Sequence, residues 1–283
     1  MNKIRKVLIR VGIGLLSFVV ALSLAVFFLY GGIGERYNNI KSIAHRGYSI
    51  GAPENTLPAY RLAKEKGFDY AECDVSFTKD GVAVLLHDST IDRTSDGEGK
   101  VSDFTYEELL QYDFGSWFSD DYKGTKIPTF EEFIDLCIEI DLHPYIELKS
   151  NGDYTKEQIV ELVKYVDEKG LRTKSTWISF EYNYLVYANE SNDYLRLGYL
   201  SSQFKDEDLE KALSLKKKSN QVFLDLGFMY AFSSCINKCK KAKVPVEVWT
   251  VNNEILIHIM HPYISGVTSD KLIANRVLGK EKE

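Results

Sequence analysis

Residues Tyr70–His87 read YAECDVSFTKDGVAVLLH, two β-prone runs broken at Lys79-Asp80-Gly81. Tyr70–Val75 and Val82–His87 are rich in apolar and β-branched residues, and Asp-Gly is a strong hairpin signal. A parallel crossover needs roughly a dozen residues, far more than Phe77–Gly81 supplies. The second run is therefore expected to return antiparallel. A turn centred near Asp80 sets residues equidistant from it opposite each other, which brings His87 back beside Asp74.

Outward from this hairpin the chain alternates short β-rich runs with helix-length segments. Further strands are expected at Ser42–His45, Pro144–Leu148, Thr176–Phe180, Leu195–Leu200, Gln221–Leu226, Pro245–Val251 and Gly266–Thr268. Helices are expected at Leu57–Lys66, Phe130–Ile140, Lys156–Lys169, Asp206–Leu215, Ala231–Lys241 and Glu254–Met260. The first of these carries clear signals: Asn55 and Thr56 as caps, Pro58 in the first turn, and Gly67 as a stop. Setting aside the returning strand leaves eight for a parallel sheet. Eight strands with helices between them in about 240 residues fit an α/β fold, a (β/α)8 barrel of TIM type. An open doubly wound sheet is the competing architecture, but no G-x-G-x-x-G follows the first strand. Ser89–Thr125 forms an insertion with a short helix at Tyr106–Tyr112 and the aromatic residues Phe114, Trp117, Phe118 and Tyr122. It either packs on the barrel or caps the site.

The first residues are a separate object. Val11–Tyr30 reads VGIGLLSFVVALSLAVFFLY, without a charge, and spans about 30 Å as a helix, the thickness of a bilayer core. Lys3, Arg5, Lys6 and Arg10 precede it, so residues 1–10 are expected in the cytoplasm, 11–30 as a single-pass anchor, and the rest on the extracytoplasmic side. Secretion after signal cleavage is the rival reading, although the apolar run is long for a signal peptide. Residues 31–39 (GGIGERYNN) make a linker, and residues 40–283 are expected to be the barrel domain, with the insertion at about 89–125.

The 283 residues carry 35 Lys and Arg against 41 Asp and Glu, a net charge of −6. With four basic residues lying before residue 11, the body is more acidic still. Such a body does not offer the basic face that nucleic acid requires. Cys73 and Cys137 sit in apolar runs, and Cys235 and Cys239 lie four apart on an expected helix. All four read as small buried hydrophobes.

Chemistry gathers where strands finish. The first strand ends in His45-Arg46-Gly47; the second carries Glu72 and Asp74, two apart and so on one side of the strand. The strand at Pro144–Leu148 places Glu147 inward, with Lys149 two residues on. Inward carboxylates inside a barrel are costly unless a cation joins them. Three hard oxygen donors favour Mg²⁺ or Ca²⁺ over zinc. Each feature alone has an ordinary structural explanation; all of them ending strands of one barrel is a coincidence that points to a site.

Ile43-Ala44-His45-Arg46-Gly47, Pro53-Glu54-Asn55-Thr56, Glu72-Cys73-Asp74, Asp80-Gly81 leading to His87-Asp88, and Glu147-Leu148-Lys149 together resemble the glycerophosphodiester phosphodiesterase family. Ile127-Pro128-Thr129 and Val248-Trp249-Thr250-Val251-Asn252 are similar to its later segments, and the resemblance runs from about residue 42 to 275. It implies a barrel enzyme that hydrolyses small or lipid-derived glycerophosphodiesters to glycerol 3-phosphate and an alcohol with a divalent metal. Carried over, Glu72, Asp74 and Glu147 hold the metal, and His45 and His87 are the general acid and base. Arg46 and Lys149 neutralise the phosphate, and Trp249 lines the pocket. The family's internal nucleophile is the glycerol 2-hydroxyl. A lysophospholipase D-like enzyme or a glycerol-phosphate-polymer hydrolase at the membrane shares this chemistry; a non-catalytic binding module would need no acid and base pair. The last strand, Ser265-Gly266-Val267-Thr268-Ser269-Asp270, departs from the family, which has an acidic residue before the glycine and ends in Thr-Asp-Tyr-Pro.

Overall fold

The computed structural model describes residues 40–150, 154–191, 194–219, 221–232, 235–260 and 263–271. The expected cytoplasmic segment 1–10, anchor 11–30 and linker 31–39 lie outside them, as does the tail from 272. Among the described residues no helix is long and apolar enough to cross a membrane.

Nine strands form one sheet: β1 (Lys41–Ala44), β2 (Tyr70–Phe77), β3 (Ala83–Leu85), β4 (His143–Leu148), β5 (Thr176–Ser179), β6 (Arg196–Ser201), β7 (Val222–Gly227), β8 (Val246–Trp249) and β9 (Gly266–Ser269). Their order is β1-β9-β8-β7-β6-β5-β4-β2-β3, and β1 also pairs with β2. That last pairing closes eight parallel strands into a barrel and excludes the open sheet. β9 pairs in parallel with both β1 and β8, so its departure from the family pattern does not prevent closure. β3 is the exception expected from the Asp-Gly turn: it runs antiparallel to β2, with Val75 opposite Leu85 and Phe77 opposite Ala83.

The helices are α1 (Leu57–Glu65), α2 (Tyr106–Leu109), α3 (Phe130–Glu139), α4 (Lys156–Glu168), α5 (Tyr182–Ser191), α6 (Asp206–Lys216), α7 (Cys235–Ala242) and α8 (Glu254–Met260). Local chemistry starts several of them. Thr105, Thr129 and Thr155 each close a capping box with Glu108, Glu132 and Gln158, satisfying backbone donors that a helix leaves open. α7 begins at Cys235, later than the sequence suggests, because a 3₁₀ turn occupies Phe228–Phe232. α5 is the helix that sequence patterning misses. Its stretch YNYLVYANES mixes Tyr, Asn and Val, poor helix formers, and buries only the short face Leu185, Ala188 and Asn189. At α1 the caps differ from expectation. Thr56 stands at the N-cap without capping and donates instead to the Pro53 carbonyl at 2.6 Å, and Asn55 turns into the barrel.

Ile43, Tyr145, Ile178, Leu200 and Phe223 fill the barrel's middle layer. Below it, at the strands' N-terminal end, Arg196 donates to Glu247 at 2.5 Å and to the Tyr145 hydroxyl at 3.0 Å. Tyr145 also donates to Glu247, and Lys41 stands 3.7 Å from it. A Cβ at Gly266 would lie 2.6 Å from the Glu247 carboxyl carbon, so this floor requires glycine there.

The insertion has its own apolar cluster, with Ile91, Val101, Leu109, Phe114 and Ile127 packed on Val84 and Leu86. Tyr122 donates to the Gly51 carbonyl at 2.8 Å and fastens the insertion to the loop after β1. Within its aromatic run Phe114 is buried, Phe118 meets Trp117 and Tyr122 edge-on, and Trp117 stays exposed. All four cysteines are buried thiols.

Candidate active site

The site begins with a turn. After β1, Arg46 adopts φ +55° and Gly47 φ +79°. A Cβ at Gly47 would stand 2.7 Å from that of Ala59, so only glycine lets β1 turn so close to α1. The turn aims the Arg46 amide at Glu72 (2.9 Å) and its guanidinium at Glu54 (2.8 Å) and Asp74 (3.3 Å).

Glu72 and Asp74 project inward from β2, and Glu147 from β4, where the register sets it opposite Asp74. One oxygen from each lies within 4.8 Å of the others, and all three residues are buried. Asn55 grips Asp74 twice, donating from Nδ2 at 2.8 Å and accepting its amide at 3.2 Å. Lys149 Nζ stands 2.9 Å from Glu147 Oε1 and 3.2 Å from Asp74 Oδ1. The Tyr154 hydroxyl accepts the Lys149 amide and donates to the Val75 carbonyl, fixing the end of β4 to β2.

These charges are not balanced. Glu147 Oε1 and Asp74 Oδ1 share the single Lys149 ammonium, and Glu72 Oε1 is buried with no hydrogen bond. Burial, then Asp74 and Glu147, push the Glu72 carboxyl well above the usual carboxylate range. Burial and Asp74 likewise raise Glu147. Burial works against ionisation of Asp74 as well, but Lys149, Arg46 and His87 outweigh it and hold that carboxyl down. Two acids that resist ionisation beside a third, their oxygens converging on one point, make a set that suits a hard divalent cation.

Two imidazoles flank the acids. His45 Nδ1 lies 2.6 Å from Asp270 Oδ1, and His87 Nδ1 lies 2.6 Å from Asp88 Oδ1. A carboxylate on Nδ1 selects the tautomer that leaves Nε2 as the acceptor. Asp270 is itself held by Asn252 Nδ2 at 2.5 Å, and Asp88 by Arg93 Nε at 2.6 Å. Arg93 also clamps Glu54 at 2.8 Å, linking both halves of the rim. Burial lowers His87, and Arg46 and Lys149 add to this against the pull of Asp74.

A cleft of about 260 Å³ joins His45, Arg46, Glu72, His87, Glu147 and Lys149 to Trp249. Asp74, 1% exposed, lies behind this lining. All eight residues expected from the sequence thus gather at one end of the barrel. Trp249 donates from Nε1 to the Asp225 carbonyl at 3.2 Å and meets Phe180 edge-on at 5.6 Å. No insertion residue lines the cleft. Sequence reading missed Glu54, Asn55, Asp88, Asp225 and Asp270 as parts of the site. Asp88 was findable as the neighbour of His87; Asp270 meets His45 only because the barrel closes.

Residues 45–273 match the glycerophosphoryl diester phosphodiesterase family. The chain belongs to this family. It is similar to a glycerophosphodiester phosphodiesterase of Caldanaerobacter subterraneus, at 33% identity over 81% of this chain and 93% of that protein. A human relative, glycerophosphodiester phosphodiesterase 1, is 36% identical over 50% of this chain and 43% of its own length. Among solved structures, a phosphodiesterase of Oleispira antarctica in complex with the product sn-glycerol-3-phosphate is 28% identical, covering 87% of this chain and 98% of its own, with a TM-score of 0.73. The glycerophosphodiester phosphodiesterase of Agrobacterium tumefaciens is 25% identical over 83% of this chain and 98% of its own, with a TM-score of 0.69. Family and relatives agree on a phosphodiester hydrolase, and the acid triad can hold the divalent metal that such an enzyme uses.

Proposed function

We propose that this chain hydrolyses glycerophosphodiesters to glycerol 3-phosphate and an alcohol. The observation that carries the reading is one cleft holding three converging buried acids, two cations and two imidazoles with Nε2 unclaimed. The product-bound Oleispira relative supports the same product here. Glu72, Asp74 and Glu147 would hold Mg²⁺ or Ca²⁺, which when bound offsets the charge of the phosphodiester and makes phosphorus open to attack.

The remaining work falls to the chain's own groups. Lys149 and Arg46 sit on the acids and lend positive charge to the phosphate oxygens. His87, kept neutral by burial, takes the proton of the attacking hydroxyl at Nε2. His45 delivers a proton to the departing alkoxide from the Nε2 of its doubly protonated ring, a form that the Asp270 carboxylate on Nδ1 stabilises. Trp249, pinned through its indole N–H, gives the glycerol side a fixed wall.

A second substrate class is the terminal unit of a glycerol-phosphate polymer at the membrane, whose glycerol carries no acyl group and whose remainder leaves as the alcohol. The anchor reading of residues 11–30 would hold the enzyme near such substrates, outside the cytoplasm; trimming of the barrel by protease added to intact cells is the expected result. A panel of glycerophosphodiesters and lysolipids, assayed for glycerol 3-phosphate with and without added metal, tests the activity. Metal-dependent release from at least one is expected; release from none would refute it.

A further inference from the structure

One polar group in the cleft has no part in the chemistry above. Asp225 points inward from β7, two residues beyond the core residue Phe223, and lines the cleft beside Trp249 while only 1% exposed. Its Oδ1 is buried and has no hydrogen-bond partner. The neighbouring charges are committed elsewhere: Glu247, opposite it in the β8 register, already takes Arg196, Tyr145 and Lys41. A buried carboxyl left this way costs stability, and a fold keeps such a group where a ligand fills it.

Position says which part of a ligand that is. In the strand order, β7 lies four places from β2 in either direction, directly across the barrel from Glu72 and Asp74. A phosphate seated over the acids therefore sends one substituent across the cleft toward Asp225. The Asp225 end is closed beneath by the Arg196–Glu247 floor. A leaving alcohol of variable size needs the open mouth; the invariant glycerol fits the closed end.

Resting on the activity proposed above, we propose that the Asp225 side chain hydrogen-bonds the terminal hydroxyl of the substrate's glycerol moiety and so sets specificity for glycerol. Burial and Glu247 push the carboxyl well above its ordinary range, a state able to donate as well as accept.

The test compares glycerophosphocholine with 2-hydroxyethyl phosphocholine, which keeps the hydroxyl next to the phosphate ester but lacks the terminal hydroxymethyl. Choline release is read for both in wild type, Asp225→Asn and Asp225→Leu. Wild type is expected to prefer the glycerol substrate by about tenfold or more in kcat/KM, the value of one buried hydrogen bond. Asp225→Leu should erase that preference, bringing the two kcat/KM values within about twofold of each other, and its melting temperature should not fall, as it would for a structural residue. Asp225→Asn, of the same shape, should lose part of the preference. Equal losses on both substrates, or a preference that survives in Asp225→Leu, would overturn the assignment while leaving the activity standing. A wild type that cleaves neither diester would overturn the activity and this assignment together.

Discussion

The barrel buries charge at both ends, and the two ends treat it differently. At the floor, Glu247 is 1% exposed yet receives Arg196, Tyr145 and Lys41, and the Arg196 guanidinium also stacks 3.9 Å over the Phe223 ring. Burial alone would raise Glu247, but Arg196 and Lys41 hold it below the usual range. At the mouth, Glu72 and Glu147 are also buried but are raised, one Lys149 ammonium serves both Glu147 and Asp74, and a Glu72 oxygen is left over. Completed charge clusters hold a fold together; incomplete ones wait for something from outside.

Four outcomes test the contrast. Glu72→Gln should lower turnover by about a thousandfold, the loss expected when charge stabilisation at the phosphate fails. In chelator its melting temperature should equal or exceed that of wild type, because a repelling carboxylate has gone. Glu247→Ala should do the reverse and strand Arg196, costing about 3–5 kcal/mol in urea unfolding. The protein that stays folded should keep most of its kcat. A floor variant that unfolds no more easily than wild type would remove the distinction between the ends.

Asp270→Asn should cost roughly ten- to a hundredfold in kcat by releasing the His45 tautomer while leaving KM near wild type. The smallest effect concerns pH. Because burial lowers His87, its neutral form persists to lower pH than in a free imidazole, so the acid limb of kcat/KM should fall below pH 6.5. A limb above 6.5 would remove His87 as the base.

How much of this was legible beforehand follows from the physics of each element. The hairpin was readable because Asp80-Gly81 is a local signal and the register follows from it. Glu72, Asp74 and Glu147 were readable because alternation on a strand puts i and i+2 on one side. Asn55 was misread as a cap, since the same amide can cap a helix or grip a carboxylate, and only the tertiary placement of Asp74 decides between them. The His45–Asp270 pair joins residues 225 apart in sequence, and nothing local announces it. The floor was hidden for the same reason, with Tyr145, Arg196 and Glu247 arriving from three separate strands.

The most direct test is a thermal melt of the chelated wild-type protein titrated with Mg²⁺ and, separately, Ca²⁺, beside Glu72→Gln. Binding to the folded state alone raises stability with ion concentration, by about 2.7 kcal/mol at a hundred times Kd. At least one ion should raise the wild-type melting temperature progressively and leave Glu72→Gln almost unmoved. No shift with either ion at millimolar concentration, or the same shift in Glu72→Gln, would contradict a cation held by these three acids.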